Sequence, residues 1–279
     1  MGKCIDSEII NYFKDKPFQI EVIFTKYAGH AKEIVKEKVN EAPDVVVACG
    51  GDGTINEVAQ GLIGTSIKLG IIPIGSGNGL ASNLSIPKEL SRALETIISD
   101  KLIVIDVGKI NEKYFFSNIG LGIDAFVIER YTDKRQRNFL GYLKATIWSF
   151  LNFKSVGLNV VFDDEVIKKD DYFFVLCSNS DEAGYGISFT PKARLNDGFL
   201  DVLCVKKLNL FEIVYFFYAV LFRRIHLMDK AIVRQVKSVS FESVHGDLKV
   251  QIDGESICLG ASKVEVVILS NALNIIGGK

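Results

Sequence analysis

Two glycine-rich segments contain the residues of this 279-residue chain that are best suited to chemistry. Residues 49–54 read CGGDGT, and residues 74–79 read IGSGNG. Glycines let the backbone approach a bound group closely, and free N–H groups at a helix N-terminus favour a phosphate. A carboxylate such as Asp52 repels phosphate unless Mg²⁺ or an acceptor hydroxyl lies between them. The first segment therefore predicts phosphoryl transfer.

The second segment adds side-chain donors to the same prediction. Ser76 and Asn78 can donate hydrogen bonds to phosphate oxygens. Neither segment has the spacing of a GxxxxGKS loop or of a GxGxxG dinucleotide fingerprint. A purely structural interpretation stays open for the first segment, because Thr54 and Glu57 have the spacing of a capping box.

The elements around these segments alternate between strands and helices. Strands are predicted at Gln19–Thr25, Asp44–Ala48, Leu69–Ile72 and Leu102–Val107. Helices are predicted at Ala31–Asn40, Thr54–Ile63 and Ser91–Ser99. This alternation indicates a mostly parallel sheet with helices on both faces. Loops at the carboxyl ends of neighbouring parallel strands line one crevice, so both glycine segments are expected to meet there.

The pattern changes after about Asp106, where short apolar runs recur between turn residues. Such runs are typical of an antiparallel sandwich or barrel, and helices near Gly141–Leu151 and Leu210–Phe222 interrupt them. We therefore predict an α/β domain at residues 1–105, followed by a mainly antiparallel β-sandwich domain at residues 106–269. The last segment, about 270–279, is expected to return to the first domain.

Composition excludes several classes of protein. Lys and Arg total 33 against 34 Asp and Glu, a net charge of −1, which argues against a nucleic-acid partner held by a basic face. Five cysteines without a CxxC pair predict neither a disulfide framework nor a zinc site, and fit a reducing cytoplasm. The N-terminus is too charged for a signal peptide. No apolar run reaches the roughly 20 residues of a membrane span.

The most apolar run, Leu208–Leu221, permits two interpretations. It reads LNLFEIVYFFYAVL. A buried or amphipathic helix of the fold is the simpler one. The other is an apolar surface beside a lipid-binding mouth, with Arg223, Arg224 and Lys230 touching anionic head groups.

The segments GGDGTINEVAQGL and LGIIPIGSGNGLASNL resemble the diacylglycerol kinase catalytic-domain family, which includes sphingosine kinases and bacterial lipid kinases. The resemblance continues through IDVGKINEKYFFSNIGLGIDA, LNDGFLDV and IDGE, and covers about Phe24 to Glu255. It implies an α/β nucleotide-binding domain, distantly like phosphofructokinase and NAD kinase, followed by a β-sandwich. It also implies ATP and Mg²⁺ as cofactors and a lipid hydroxyl as the phosphate acceptor, which fits a cytoplasmic protein that visits a membrane surface.

The resemblance assigns expected roles to individual residues. Those expected at the nucleotide are Thr25, Gly50, Gly51, Gly53, Thr54, Asn56, Glu57, Gly75, Ser76, Asn78 and Glu255. Asp124 matches an acid that grips the lipid head in sphingosine kinases. Asp197, with the carbonyls of Arg194 and Phe199, matches a second metal site of bacterial relatives.

Two catalytic carboxylates compete for the role of general base, Asp52 and Asp253. In bacterial relatives the acid of the Asp253 segment is proposed as the base. A tight Asp-Gly turn between strands explains Asp253 equally well, and Asp197-Gly198 likewise. A base must lie within hydrogen-bond reach of the hydroxyl, and the sequence gives no distances.

Several alternatives stay open for the function. Gly79 stands where many diacylglycerol kinases have Asp, and GSGNGLA is closer to the GSGNALA of sphingosine and ceramide kinases, which counts against diacylglycerol as the acceptor. NAD kinase shares GGDGT, so a kinase with a soluble substrate is a second hypothesis. A non-catalytic nucleotide- or lipid-binding module is a third. A homodimer is left open.

Overall fold

The computed structural model describes residues 2–75, 77–132, 146, 148–150, 152–163, 165–181 and 188–278. The helices are α1 Gly2–Phe13, α2 His30–Lys38, α3 Asp52–Leu62, α4 Gly79–Asn83, α5 Leu90–Ser99, α6 Ile123–Thr132 and α7 Leu210–Leu221. The strands are β1 Val45–Gly50, β2 Lys68–Pro73, β3 Leu102–Ile110, β4 Lys113–Phe115, β5 Asn118–Gly122, β6 Val156–Phe162, β7 Glu165–Ser178, β8 Leu200–Lys206, β9 Ala231–Val236, β10 Ser238–Ser243, β11 Lys249–Ile252, β12 Glu255–Cys258 and β13 Lys263–Ile276.

The N-terminal part is built on the parallel pair β1 and β2. Cys49 lies opposite Ile72 in the ladder, so both strands end at the same level and both glycine loops leave from that edge. Apolar residues of α2, α3 and α4 form one core with the two strands. The β-branched runs of β1 and β2 fit strands that are covered by helices.

The C-terminal part consists of antiparallel strands. The strands β5, β7 and β8 lie side by side, and β6 connects β7 to β10. A separate core is filled by inward-facing side chains of these strands and of β11 and β13. Alternating apolar residues along each strand supply that core, as in other sandwiches.

The long strand β13 joins the two parts. It pairs antiparallel with β3 along most of its length, with an irregularity between Leu269 and Leu273. Near its end, Ile275 lies beside Leu69 of β2 in parallel register. The final segment of the chain therefore runs alongside the N-terminal strands.

Local sequence signals located most elements to within a few residues, but helices α4 and α6 were not predicted. The predicted strand at Gln19–Thr25 is wrong, because residues 18–26 form no ladder with β1 and their apolar side chains are exposed. A strand needs a hydrogen-bonding neighbour, which alternation alone does not provide. Helix α1 was not predicted; Ile9, Tyr12 and Phe13 pack it against a small core with α5.

The predicted helix at Gly141–Leu151 falls mostly outside the described residues. The one predicted near Leu210–Phe222 is confirmed as α7. Among the described residues, no helix combines the length and apolar character needed to cross a bilayer.

Candidate active site

The two glycine loops touch each other at the carboxyl ends of β1 and β2. The Ile74 N–H donates to the Gly50 carbonyl at 3.0 Å. A Cβ on Gly75 would lie 2.6 Å from the Cα of Gly51, which is closer than such atoms approach. Glycine is therefore required at position 75, and the two loops form one continuous surface.

Asp52, the first residue of α3, fastens the first loop to the second. Its Oδ2 accepts the Asn78 N–H at 2.8 Å, and its Oδ1 accepts the Gly79 N–H at 2.7 Å. Both N–H groups stand at the start of α4, and backbone N–H donors stabilise a carboxylate charge. Each carboxylate oxygen can accept a second hydrogen bond or a metal ion. No second donor among the described residues reaches either oxygen.

Asn78 uses its side chain within its own loop. The Gly75 N–H donates to Asn78 Oδ1 at 3.0 Å, and Asn78 Nδ2 donates to the Gly75 carbonyl at 2.6 Å. The residue is buried and has a φ of +62°. Asn78 was predicted to hold phosphate directly, whereas its amide group here shapes the loop. Ser76 lies outside the described residues.

The first turn of α3 carries no side-chain cap. Gly51 is its N-cap residue, and no side chain among the described residues accepts a hydrogen bond from the N–H groups that follow. The capping-box interpretation of Thr54 and Glu57 is therefore wrong. These uncapped N–H groups and the positive end of the helix dipole favour an anion at this position. Gly53 stands in this turn, and a Cβ there would meet no atom within 4 Å.

Glu57 caps the neighbouring helix α2 instead. Its Oε1 accepts the Gly29 N–H at 2.7 Å, and its Oε2 accepts the Ala31 N–H at 3.1 Å. Glu57 thus fixes the loop that precedes α2. Thr25 lies in the exposed irregular segment just before this loop.

Asp253 lies in the turn between β11 and β12 and is held by the start of β5. Its Oδ2 accepts the Phe116 N–H at 2.8 Å. Its Oδ1 accepts the N–H groups of Ser117 and Asn118 at 2.8 and 3.1 Å. Asn56 Nδ2 also points to Oδ2 at 3.4 Å. Four donors fill the acceptor positions of this carboxylate, so Asp253 has little capacity left for a substrate hydroxyl.

The contact between Asn56 and Asp253 connects the two parts of the chain at the site. Burial raises the pKa of Asp253 to about 6; the negative charge of Asp52 acts in the same direction, and the three backbone N–H groups oppose both. Asn56 stands one helical turn after Asp52 in α3, so its contact with Asp253 places the two carboxylates predicted to be catalytic in the same region. Glu255, at the start of β12, is exposed.

Asp124 occupies a partly buried position at the beginning of α6. Burial raises the pKa of its carboxyl group to about 6, opposed by a hydrogen bond from Gln251 Nε2 at 3.1 Å. The same Nε2 donates to Asn118 Oδ1 at 2.7 Å. A Cβ on Gly120 would lie 1.7 Å from Asp124 Oδ2. The absence of a side chain at position 120 thus leaves room for the Asp124 carboxylate.

The residues of the expected second metal site line two cavities that share Asn196. Asp197 and Phe199 line a cavity of about 320 Å³ beside Asp106, and Asp197 Oδ1 accepts the Phe199 N–H at 3.1 Å. Arg194 lines a different cavity, of about 300 Å³. In the described part of the chain, no three His, Cys, Asp or Glu side chains are grouped to hold a metal ion. A magnesium ion here would need carbonyl, water or phosphate oxygens as well.

Three further residues support the site and were not predicted. Buried Asp106 accepts the Gly198 N–H at 2.7 Å and the Asn271 N–H at 2.8 Å. Gln251 accepts the Gly254 N–H at 3.1 Å, beside Asp253. The Asn179 side chain donates to the carbonyls of Asp106 and Phe116. These residues could have been found in the sequence as polar residues that interrupt apolar strand runs, such as Gln251 in KVQID.

Family models match both parts of the chain. A diacylglycerol kinase catalytic domain model matches residues 1–110, and a YegS C-terminal NAD kinase beta sandwich-like domain model matches residues 117–277. The chain belongs to the diacylglycerol kinase family. The resemblance seen in the sequence is therefore confirmed, and with it the membership of a kinase family.

Curated relatives agree with this family. The chain is 28% identical to a diacylglycerol kinase of Staphylococcus saprophyticus over 243 residues, which are 85% of this chain and 79% of that protein. It is 29% identical to the diacylglycerol kinase of Staphylococcus haemolyticus, over 85% of this chain and 73% of that protein.

Among solved structures, a diacylglycerol kinase from Bacillus anthracis strain Sterne has a TM-score of 0.69 at 20% identity, covering 92% of this chain and 85% of that chain. An NAD kinase from Archaeoglobus fulgidus, solved in complex with ATP, has a TM-score of 0.55 at 10% identity, covering 98% of this chain and 90% of that chain. At these identities the structures show the fold alone. They confirm the predicted α/β domain followed by a β-sandwich.

Proposed function

We propose that this protein transfers the γ-phosphate of ATP to the hydroxyl of a lipid, with Mg²⁺. The observation that carries the proposal is the uncapped N-terminus of α3, which opens beside a carboxylate already fixed in place by the second loop. Family membership supports a kinase, and the names of the curated relatives support a lipid acceptor.

The first turn of α3 is the proposed phosphate site. In the described part of the chain its N–H groups have no side-chain acceptor, and the open space at Gly53 leaves the backbone accessible. A phosphate placed there would satisfy these donors and meet the positive end of the helix dipole. Because the transition state of phosphoryl transfer is loose, fixed positive dipoles and good positioning lower its free energy most effectively.

Asp52 is the proposed carboxylate at the reacting groups. One acceptor position stays open on each of its oxygens, whereas Asp253 is filled by four donors. Carboxylate oxygens suit Mg²⁺, which is commonly bound by one or two carboxylates together with substrate phosphates. When bound, Mg²⁺ would neutralise phosphate charge. Asp52 would also accept the proton of the lipid hydroxyl as its oxygen bonds to the γ-phosphorus and ADP leaves.

Asp253 and Asp124 take supporting positions in this proposal. Asp253 anchors residues 116–118 and, through Asn56, keeps the sandwich against α3. Asp124 is a partly buried carboxylate without a cationic partner among the described residues, which suits it to bind polar groups of the acceptor head. The proposed acceptor class is a lipid hydroxyl, which includes diacylglycerol, sphingoid and related lipids.

The test is transfer of labelled phosphate from ATP to a panel of acceptors. The panel contains diacylglycerol, monoacylglycerol, sphingosine, ceramide, phosphatidylglycerol and undecaprenol in mixed micelles, with NAD as the soluble acceptor. Asp52→Asn should lower kcat by about 100-fold or more. Asp44→Asn is the matched control, because Asp44 is exposed at the opposite end of β1.

Labelled lipid formed by the wild type and by Asp44→Asn, but not by Asp52→Asn, would support the proposal. Transfer to NAD alone would replace it with a soluble-substrate kinase. ATP binding without transfer to any acceptor would favour a non-catalytic binding module.

A further inference from the structure

Helix α7 packs on the sandwich through one side only. Phe216 and Ala219 are buried, and Phe216 belongs to a cluster with Phe174 and Phe189. Among the described residues, the opposite side of this helix carries no charged side chain. Its exposed residues are Leu210, Phe211, Val214, Tyr215, Phe217, Tyr218, Leu221 and Phe222. We call this set the α7 face; Phe211 is 86% exposed and Leu221 is 77% exposed.

Helix α7, which carries the α7 face, is capped at its N-terminus. The Asn209 side chain accepts the Glu212 N–H at 3.0 Å, and the Glu212 side chain accepts the Asn209 N–H at 2.7 Å, which forms a complete capping box. Glu212, the acid of the helix, is further bound by Lys230 at 2.7 Å. Its charge is thereby compensated away from the α7 face. The exposed apolar residues therefore belong to a helix that is stabilised by its cap and by this ion pair.

Cationic groups cluster at the C-terminal end of the α7 face. Arg223 and Arg224 follow the helix directly, and His226 and exposed Leu227 come next. Arg223 contacts Asp181 at 3.3 Å. Among described residues, no ion pair or hydrogen bond of the Arg224 side chain is formed, so this guanidinium can bind an external anion. Tyr215 and Tyr218 add amphipathic rings of the kind enriched at membrane interfaces.

A lipid surface fits this pattern better than a second copy of the chain. In a parallel pairing of two such faces, Arg223 and Arg224 of the two copies would lie together and repel each other, because Arg keeps its charge. An anionic bilayer instead places opposite charge at the same guanidinium groups. Apolar side chains flanked by cations are the pattern of an interfacial helix on an anionic bilayer.

Aromatic contacts connect the α7 face to the candidate acceptor site. Phe217 of α7 packs on Phe150 with 4.6 Å between ring centroids, and Phe150 packs on Phe173 at 5.2 Å. Phe173 contacts Phe153, which contacts Phe126 of α6. Helix α6 begins beside Asp124. An apolar cluster thus extends from the exposed helix to the element that carries the proposed acceptor-binding carboxylate.

We propose that the α7 face, with Arg224 and Arg223 at its end, docks the protein on an anionic lipid bilayer and so brings the site to its acceptor. That the partner of the α7 face is a bilayer rests in part on the proposed function, in which the phosphate acceptor is a lipid. The apolar side chains enter the boundary between head groups and acyl chains, and the guanidinium groups remain at the anionic head groups.

The experiment is vesicle flotation without ATP, which separates binding from turnover. Vesicles of phosphatidylglycerol mixed with phosphatidylcholine are compared with phosphatidylcholine alone. Leu221→Glu should weaken partition to the anionic vesicles about tenfold or more, because a charge replaces a buried apolar group. Ile10→Glu is the matched control, because Ile10 is a 49% exposed apolar residue on helix α1.

A second pair of variants tests the charge. Arg224→Gln should weaken binding to anionic vesicles about fivefold and leave binding to neutral vesicles unchanged. Arg92→Gln, the same change on exposed α5, should have no effect. Thermal melting of each variant verifies the fold, since all four side chains are exposed.

Sedimentation velocity and activity distinguish the remaining outcomes. Absence of vesicle binding by the wild type, or equal binding by wild type and Leu221→Glu, would overturn the docking proposal. So would a wild-type dimer that Leu221→Glu makes monomeric while vesicle binding is unchanged. Leu221→Glu should still phosphorylate a lipid presented in detergent micelles. If the wild type phosphorylates no micellar lipid yet binds vesicles through the α7 face, the proposed function fails and the docking surface stands.

Discussion

The Asp124 carboxylate gives a prediction in which stability and function oppose each other. Burial raises its pKa from 3.8 to about 6, so the folded protein holds this proton more tightly than the unfolded chain does. Stability from this group is fully present below about pH 4 and is lost as pH rises through about 6. About two pKa units at about 1.4 kcal/mol each give an upper bound near 3 kcal/mol.

Asp124→Asn removes the ionised form and retains an oxygen for the Gln251 hydrogen bond. We expect the variant to be about 1–3 kcal/mol more stable than the wild type at pH 7.5, and equally stable at pH 4. The assay is urea unfolding at both pH values. Phosphorylation of the lipid acceptor should fall at the same time, because the variant lacks the negative charge proposed to bind the acceptor head.

The control for this prediction is Asp163→Asn. Asp163 is exposed and accepts backbone N–H groups from Lys237 and Ser238, so its loss should cost up to about 1 kcal/mol and give no gain at pH 7.5. An Asp124→Asn protein that is no more stable at pH 7.5 than the wild type would refute the reasoning. A gain of the same size at pH 4 and pH 7.5 would refute it as well.

Three substitutions test other contacts of the site. Gly75→Ala should lower thermal stability and weaken ATP binding, because its Cβ would collide with the neighbouring loop. Gly53→Ala should keep its thermal stability, because its Cβ meets no atom. Its methyl group would occupy the space proposed for phosphate, so isothermal titration should find ATP binding weakened in both variants. Glu57→Ala removes the acceptor of two backbone N–H groups and should cost about 2–4 kcal/mol in urea unfolding of the ATP-free protein; an unchanged value would contradict its capping role. Gly120→Ala should displace Asp124, abolishing lipid phosphorylation while ATP titration stays normal.

Local sequence signals were sufficient to predict the strands, loops and helices around the two glycine segments of the N-terminal part. The β-branched run before CGGDGT and the apolar spacing after it specify a strand, a tight loop and a helix within about 20 residues. The meeting of the two loops followed from the parallel order of β1 and β2. The β-sandwich was likewise predictable, because its short apolar runs and turns repeat regularly.

The contacts that define individual roles could not be predicted, because they join distant positions. Asp253 contacts Phe116 across 137 residues and Asn56 across 197. Glu57 and Gly29 are 28 residues apart. Thr54 is much closer to Glu57 in the sequence, and their spacing suggested a local capping box instead. At Gln19–Thr25 the alternation predicted a strand, although no neighbour pairs with it.

The arrangement around Asp52 explains how a carboxylate can stand in the loop proposed to bind phosphate. An isolated charge at the start of α3 would compete with phosphate for the same N–H groups. Here the carboxylate is turned to the start of α4, where the N–H groups of Asn78 and Gly79 accommodate it. The N–H groups of α3 are thereby left for an anion. The loop after β1 leads into α3, whose dipole favours the proposed phosphate. The loop after β2 supplies the N–H groups that stabilise the Asp52 carboxylate. Each loop therefore depends on the other, and Gly75, at their contact, has no space for a side chain.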